Sequence, residues 1–322
     1  LTIIGSEDPG APEQEAFYER ISDSASRFII EGGNHRQYGH GLPVVPATLE
    51  LFYNGEPMTL SRYPNKGAMK IGKVSDPGSV PRTGDKSNRG ALFAYTDSRH
   101  KKWVGQNNIW IQGTLNYGFG DDYNPIDFID TIAGQVKLKK PHLYGVGSGK
   151  DFQEYVAINI LEELDSPGEW YIDEKSGILY FWPPSDMKGA LVQVSMLEDP
   201  IIALEGTEHV TLKGLTIEAG RGIGIYVERS NHTLVAGCTV RNVGTSGIFM
   251  GQGAKLLDEN SSIDDYVGEP QSRQIGSFQN HIYKNNTWNR KAGSNNGVLS
   301  CDVYNTGSGG IYISGGDKKT LT

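Results

Sequence analysis

Two cysteines in 322 residues, Cys238 and Cys301, are too few for a disulfide scaffold, and their spacing fits no zinc site. No apolar run approaches the roughly 20 residues that carry a helix across a bilayer, so no membrane partner is expected. An excess of positive charge is missing as well. Lys and Arg number 30 against 38 Asp and Glu, and the net charge of −8 gives no bulk attraction to nucleic acid or to an anionic membrane. The local clusters Arg99-His100-Lys101-Lys102 and Lys137, Lys139 and Lys140 read as solvated faces. Three glycosylation sequons, at Asn231, Asn260 and Asn285, are no more than chance supplies in so Asn-rich a chain, and they leave the compartment open.

What the chain has in abundance is glycine: 42 residues, well above the usual share of about 7%. Much of it belongs to a repeated phrase. LTIEAGRGIGIYV (Leu215–Val227), CTVRNVGTSGIFM (Cys238–Met250) and CDVYNTGSGGIYI (Cys301–Ile313) share a frame. Its tenth position is Gly, at 224, 247 and 310, followed each time by Ile, an aromatic and an aliphatic residue. The first two copies start 23 residues apart. Short β-branched segments at such a period, with Gly-rich turns and no Leu-x-x-Leu-x-Leu frame, indicate a solenoid of strands. With no 3.6-residue periodicity across the copies, the reading is a right-handed parallel β-helix, one coil per copy, with equivalent residues about 4.8 Å apart on successive coils.

Strand alternation sorts each copy by face. Leu215/Ile217, Cys238/Val240 and Cys301/Val303 are expected inward, as are Ile225/Val227, Ile248/Met250 and Ile311/Ile313. Outward positions are Thr216/Glu218, Thr239/Arg241 and Asp302/Tyr304, with a second outward column of Tyr226, Phe249 and Tyr312. Gly247 and Gly310 are expected to turn the chain between strands, where positive φ or close backbone approach is needed. The two cysteines share an inward column, close enough either to bridge or to pack as free thiols.

The third copy arrives 63 residues after the second. The excess lies within 251–297, a polar stretch read as a lid or wall beside a groove. Before Ile201 the frame is not visible. Leu49–Leu60 reads as two strands around an Asn54-Gly55 turn. Strand-like segments recur at 108–117, 132–138, 155–161, 169–173 and 178–182. The expectation is an all-β chain in three parts. Residues 1–84 hold entry coils and a hairpin, 85–195 an inserted antiparallel β subdomain, and 196–322 the parallel coils. Trp103, Trp110, Tyr117, Trp170 and Trp182 read as core of the subdomain, with a sugar platform as the alternative.

Three segments, LFYNGEPMTLSRYPNKG (Leu51–Gly67), LDSPGEWYIDEKSGILYFWPP (Leu164–Pro184) and GSGGIYISGGDKKTLT (Gly307–Thr322), are similar to secreted bacterial right-handed β-helix proteins. These include glycoside hydrolase family 141, whose characterised members act on fucosides and xylan. The resemblance implies an extracellular or periplasmic protein with a polysaccharide partner. Such proteins begin earlier and continue for several coils past the Gly-Gly-Asp motif. This chain is therefore expected to be a fragment, or to be completed by a second chain.

Hydrolysis of a glycosidic bond needs two carboxyl groups about 5–5.5 Å apart for retention and about 6.5–9.5 Å apart for inversion. Asp302, outward on the last visible coil, and Asp317, in the bend after it, are the catalytic candidates. Each also reads as an ordinary solvated or turn-capping Asp. Arg241, Tyr304, Glu218 and Tyr312 are candidates for holding sugar. No cofactor or metal is expected for a hydrolase. A polysaccharide lyase, the rival reading, would call on Ca²⁺, with Arg241 as its base and Asp264-Asp265 as a cation site. A binding or structural module would use Tyr226, Phe249 and Tyr312 as a platform.

Overall fold

The computed structural model describes residues 2–5, 27–30, 49–80, 83–85, 87–119, 121–142, 144–173, 176–197, 199–251, 293–307 and 309–313. The chain forms two compact units, Leu1–His35 with Met58–Lys188, and Arg36–Pro57 with Gly189–Thr322.

The first unit is antiparallel apart from two short parallel pairings. Its strands Glu154–Ile158, Met69–Asp76, Leu92–Tyr95, Gln135–Leu138, Asp121–Asp130 and Trp110–Thr114 pair in that order, and the last pairs back onto the first. Closure removes the free edges that an open sheet would expose. Inside lie Phe93, Trp103, Ile111, Leu115, Leu138 and Tyr155, all at most 1% exposed. One charged group is buried with them. Glu163 accepts two hydrogen bonds from Arg99 at 2.7 Å and a third from Trp103 Nε1 at 2.7 Å. A buried carboxylate is tolerable when its oxygens are saturated in this way. Beside the ring, Glu169–Asp173 and Ile178–Phe181 form a hairpin, with Gly177 at φ 68° in its turn.

The second unit is the solenoid. Sheet one stacks Ile202–Glu205, Ile225–Glu228, Ser246–Gly251 and Gly309–Ile313. Sheet two stacks Thr211–Lys213, Leu234–Ala236 and Gly297–Leu299. Sheet three stacks Thr216–Gly220, Thr239–Val243 and Asp302–Thr306. All of these pairings are parallel and in the register of the repeat. Ile225, Ile248 and Ile311 form one column, and Tyr226, Phe249 and Tyr312 the next. The lumen is filled by Ile217, Ile225, Val227, Val235, Cys238, Val240, Ile248 and Met250.

The chain turns at columns of left-handed residues. Gly214, Gly237 and Ser300 make one; Ala219, Asn242 and Asn305 another; His209, His232 and Asn295 a third. A left-handed residue with a Cβ costs roughly 1–2 kcal/mol, less for Asn, so Gly and Asn gather at these corners. Gly247 is different. It lies inside a strand, and its glycine is required by close approach: a Cβ there would sit 2.4 Å from Val303 Cγ1 and 2.7 Å from the Gly310 carbonyl oxygen.

Some expected inward residues are not enclosed. Leu215 is 39% exposed, Ile311 45% and Ile313 70%. They belong to the first rung of sheet three and the last described rung of sheet one. A lumen residue is covered only when coils stack on both sides of it. Cys238 and Cys301 are free thiols, the Cys238 amide donating to Cys301 Sγ at 3.4 Å. The bulk of 251–297 and Asp317 lie outside the described residues.

Candidate functional site

Sheet three builds the outward face. Inward Ile217, Val240 and Val303 anchor its strands, and alternation sends the residues on either side outward. Register puts Thr216, Thr239 and Asp302 in one outward column, and Glu218, Arg241 and Tyr304 in the neighbouring one. The second column is bonded along its length. Arg241 Nε donates to Glu218 Oε2 at 2.7 Å, and Arg241 Nη1 donates to Tyr304 Oη at 3.1 Å. Both charged side chains remain about a third open to solvent or less, at 33% for Arg241 and 26% for Glu218. The Tyr304 hydroxyl, and then the Glu218 carboxylate, hold the guanidinium above its ordinary pKa. A guanidinium so held is a fixed, charged donor.

A hairpin walls this column. Leu51–Tyr53 pairs with Glu56–Pro57 through Asn54 (φ 52°) and Gly55 (φ 81°), the left-handed pair that a two-residue turn demands. Asn242 Nδ2 donates to the Gly55 carbonyl at 2.7 Å. A Cβ on Gly55 would lie 3.6 Å from Arg241 Nη2, so the turn rests beside the guanidinium. Neither the wall nor the role of Asn242 was expected from the repeat. The Asn-Gly pair and the Asn shared by positions 242 and 305 were the signals that carried them.

Asp302 is exposed, two positions before Tyr304 on the same strand. The structure therefore brings Asp302, Arg241, Glu218 and Tyr304 onto one face. Tyr312 is elsewhere, on sheet one, against a cluster of Ile223, Tyr226 and Phe249. Tyr226 is fully buried and Phe249 5% exposed, so these two rings offer no open platform. The Tyr226 hydroxyl donates to buried Glu228 at 2.5 Å, and burial together with that carboxylate pushes the phenol well above its usual range. Among the described residues no group of three or more His, Cys, Asp or Glu is gathered to hold a metal ion. Asp264 and Asp265 lie outside the described residues.

Residues 200–322 match a family model described as "Right handed beta helix region". No curated protein matches the chain. A solved structure described as "Glycoside hydrolase" is similar at 13% sequence identity and a TM-score of 0.47, over 72% of this chain; the chain spans 54% of that structure's length. The C-terminal part of the chain is thus similar in sequence to right-handed β-helix regions, in agreement with its three stacked parallel sheets.

Proposed function

We propose that the chain is an extracellular carbohydrate-active protein that hydrolyses glycosidic bonds in a polysaccharide, along the outward face of sheet three. The observation that carries this reading is the Glu218–Arg241–Tyr304 column. It runs along the solenoid axis, half-exposed, with a charged donor fixed between a carboxylate and a phenol. Such a row suits an extended ligand rich in hydroxyl groups, since each rung advances about 4.8 Å, close to the length of a sugar ring.

Asp302 is the proposed reacting carboxyl on this face. Glu218 already accepts from Arg241 Nε at 2.7 Å and is not assigned to the reaction. Its part is to hold Arg241, and Asp317 remains the proposed second carboxyl. The reaction so assigned would have one carboxyl protonate the glycosidic oxygen and the other attack the anomeric carbon or activate water.

The test is incubation with a panel of neutral and acidic polysaccharides. New reducing ends without new ultraviolet absorbance are expected. Asp302→Asn and Asp317→Asn should each lower their rate by about 10²-fold or more. Arg241→Ala should weaken binding of the polymer. An absorbing unsaturated product would replace hydrolase with lyase, and retention without product would leave a binding module. Unchanged turnover in Asp302→Asn would remove that residue from the chemistry.

A further inference from the structure

The first unit carries an aromatic cluster that its core does not use. Tyr117 and Phe119 lie in the connection between strands Trp110–Thr114 and Asp121–Asp130, with ring centroids 5.5 Å apart and planes 15° from parallel. Tyr144 meets both edge-on, at 5.4 and 5.7 Å. Phe119 is 70% exposed and Tyr117 47%. Phe152, 42% exposed, flanks them, since a Cβ on Gly118 would meet its Cγ at 3.3 Å. These rings leave much apolar surface in water that burial would have used for stability, and a contiguous patch of this kind marks a binding surface.

The base under the rings is fixed. Leu115 is fully buried, and its carbonyl accepts from the Gly147 amide at 2.8 Å. Asn116 Nδ2 donates to the Tyr144 carbonyl at 2.6 Å, and Gln153 Nε2 to the Asn116 carbonyl at 3.1 Å. Gln153 Oε1 in turn accepts from the Lys150 amide at 2.9 Å. His142, 2% exposed, donates from Nδ1 to the Gly145 carbonyl at 2.8 Å, fixing the loop that presents Tyr144. Leu115 and Asn116, His142 with Tyr144, Gly145 and Gly147, and Lys150 with Gln153 are thereby tied together beneath exposed rings. A rigid base means that binding orders little, which is what makes a small contact area sufficient.

We propose that Tyr117, Phe119 and Tyr144 form a sugar-binding platform in the first unit that holds pyranose rings of the polymer. The apolar C–H face of a pyranose carries slight positive charge and matches the negative face of an aromatic ring. Tyr117 and Tyr144 add hydroxyl groups for the sugar's polar rim. The size of the cluster favours this occupant: three or four side chains fall far below the roughly 800 Å² per partner of a stable protein interface. The net charge of −8 argues against an anionic lipid surface. The choice of ligand rests on the reading of the chain as carbohydrate-active.

The test is affinity electrophoresis of the full chain in gels containing soluble xylan, galactomannan or mixed-linkage β-glucan, beside gels without polymer. The full chain should be retarded by at least one of them. Tyr117→Ala and Phe119→Ala should each weaken that retention by about 10-fold. Melting should change little in Phe119→Ala, whose ring is 70% exposed. Hydrolysis of short oligosaccharides should also be unchanged, while that of the long polymer slows. If retention survives in both variants but is lost in Arg241→Ala, the platform is refuted and the proposed function stands. If the intact chain is neither retarded nor active, both are refuted. Should Phe119→Ala instead abolish self-association seen by sedimentation, the patch is a protein interface and not a sugar site.

Discussion

Asn305 and Asn242 stand at the same left-handed corner on neighbouring coils, and the Asn305 amide donates to Asn242 Oδ1 at 3.2 Å. Asn242 passes the connection on, donating from Nδ2 to the Gly55 carbonyl at 2.7 Å. One side chain therefore satisfies a backbone corner, a coil-to-coil bond and the hairpin that walls the outward face.

Asn242→Ala should lose all three. The left-handed conformation (φ 54°) becomes strained, and the Gly55 carbonyl loses its donor. A loss of about 2–3 kcal/mol is expected from strain and hydrogen bonds together. Asn242→Gly relieves the strain alone and should recover part of the loss. Denaturant titration of the two variants checks this. Equal destabilisation by Ala and Gly would mean that the backbone conformation contributes nothing.

The same position of the repeated phrase should answer differently to substitution on different coils. At Gly247 an added methyl meets Val303 Cγ1 at 2.4 Å and a backbone oxygen at 2.7 Å, and the oxygen cannot step aside. At Gly310 the described neighbour is Val303 Cγ1 at 3.6 Å, an ordinary contact. Gly247→Ala should cost about 1–3 kcal/mol or more, and Gly310→Ala no more than about 0.5 kcal/mol. Thermal unfolding of the pair measures the contrast. Matching losses would show that the close approach at Gly247 is not what requires glycine there.

The parallel coils were readable because stacking demands repetition: each apolar column exists only if every coil renews it, so Ile225, Ile248 and Ile311 announce their register. The outward column Glu218, Arg241 and Tyr304 followed from alternation alone. The sequence was silent where no repeat or alternation operates. Strand Asp121–Asp130 carries Pro125, Asn124 and four aspartates and falls in none of the strand-like segments, yet ring closure between two partners holds it extended. Phe119 was overlooked for a related reason: an exposed ring has no periodic partner to mark it, and of the aromatics expected in the core Trp103 and Trp170 are each 1% exposed, while Tyr117 and Trp182 are 47% and 40% exposed. Gly247 was misplaced in a turn because a glycine needed for close approach and one needed for positive φ look alike in a sequence.

Two groups, one in each unit, should respond to pH in opposite directions. In the first unit His100 is fully buried and stacks on Tyr95 at 4.6 Å. Its Nδ1 lies 2.8 Å from the Asp97 carbonyl, which can only accept, so Nδ1 carries the proton. Its Nε2 is 2.7 Å from the Tyr155 hydroxyl, which then donates to it. Both nitrogens are used by the neutral ring. Burial lowers the pKa below 6.5, opposed in part by the carbonyl and charge of Asp97. Unfolded, the imidazole titrates near 6.5 and takes up its proton first. His100 therefore contributes its full stability above about pH 6.5 and loses it as pH falls toward the folded value. In the second unit the sign reverses. Burial raises Glu50 from 4.5 to about 7, and its buried Oε2 has no hydrogen-bond partner among the described residues. Its stabilising contribution is complete below about pH 4.5 and is lost as pH rises through 7. Hydrogen exchange at constant temperature, followed from pH 5 to 8 and corrected for intrinsic rates, resolves the two. Between pH 6.5 and 5 the amides around Phe93 and Tyr155 should lose protection, and His100→Gln should flatten that limb. Between pH 5 and 8 the amides around Leu51 and Val194 should lose protection, and Glu50→Gln should flatten it. A shared pH profile across both regions, unchanged by either substitution, would mean that neither group is linked to folding.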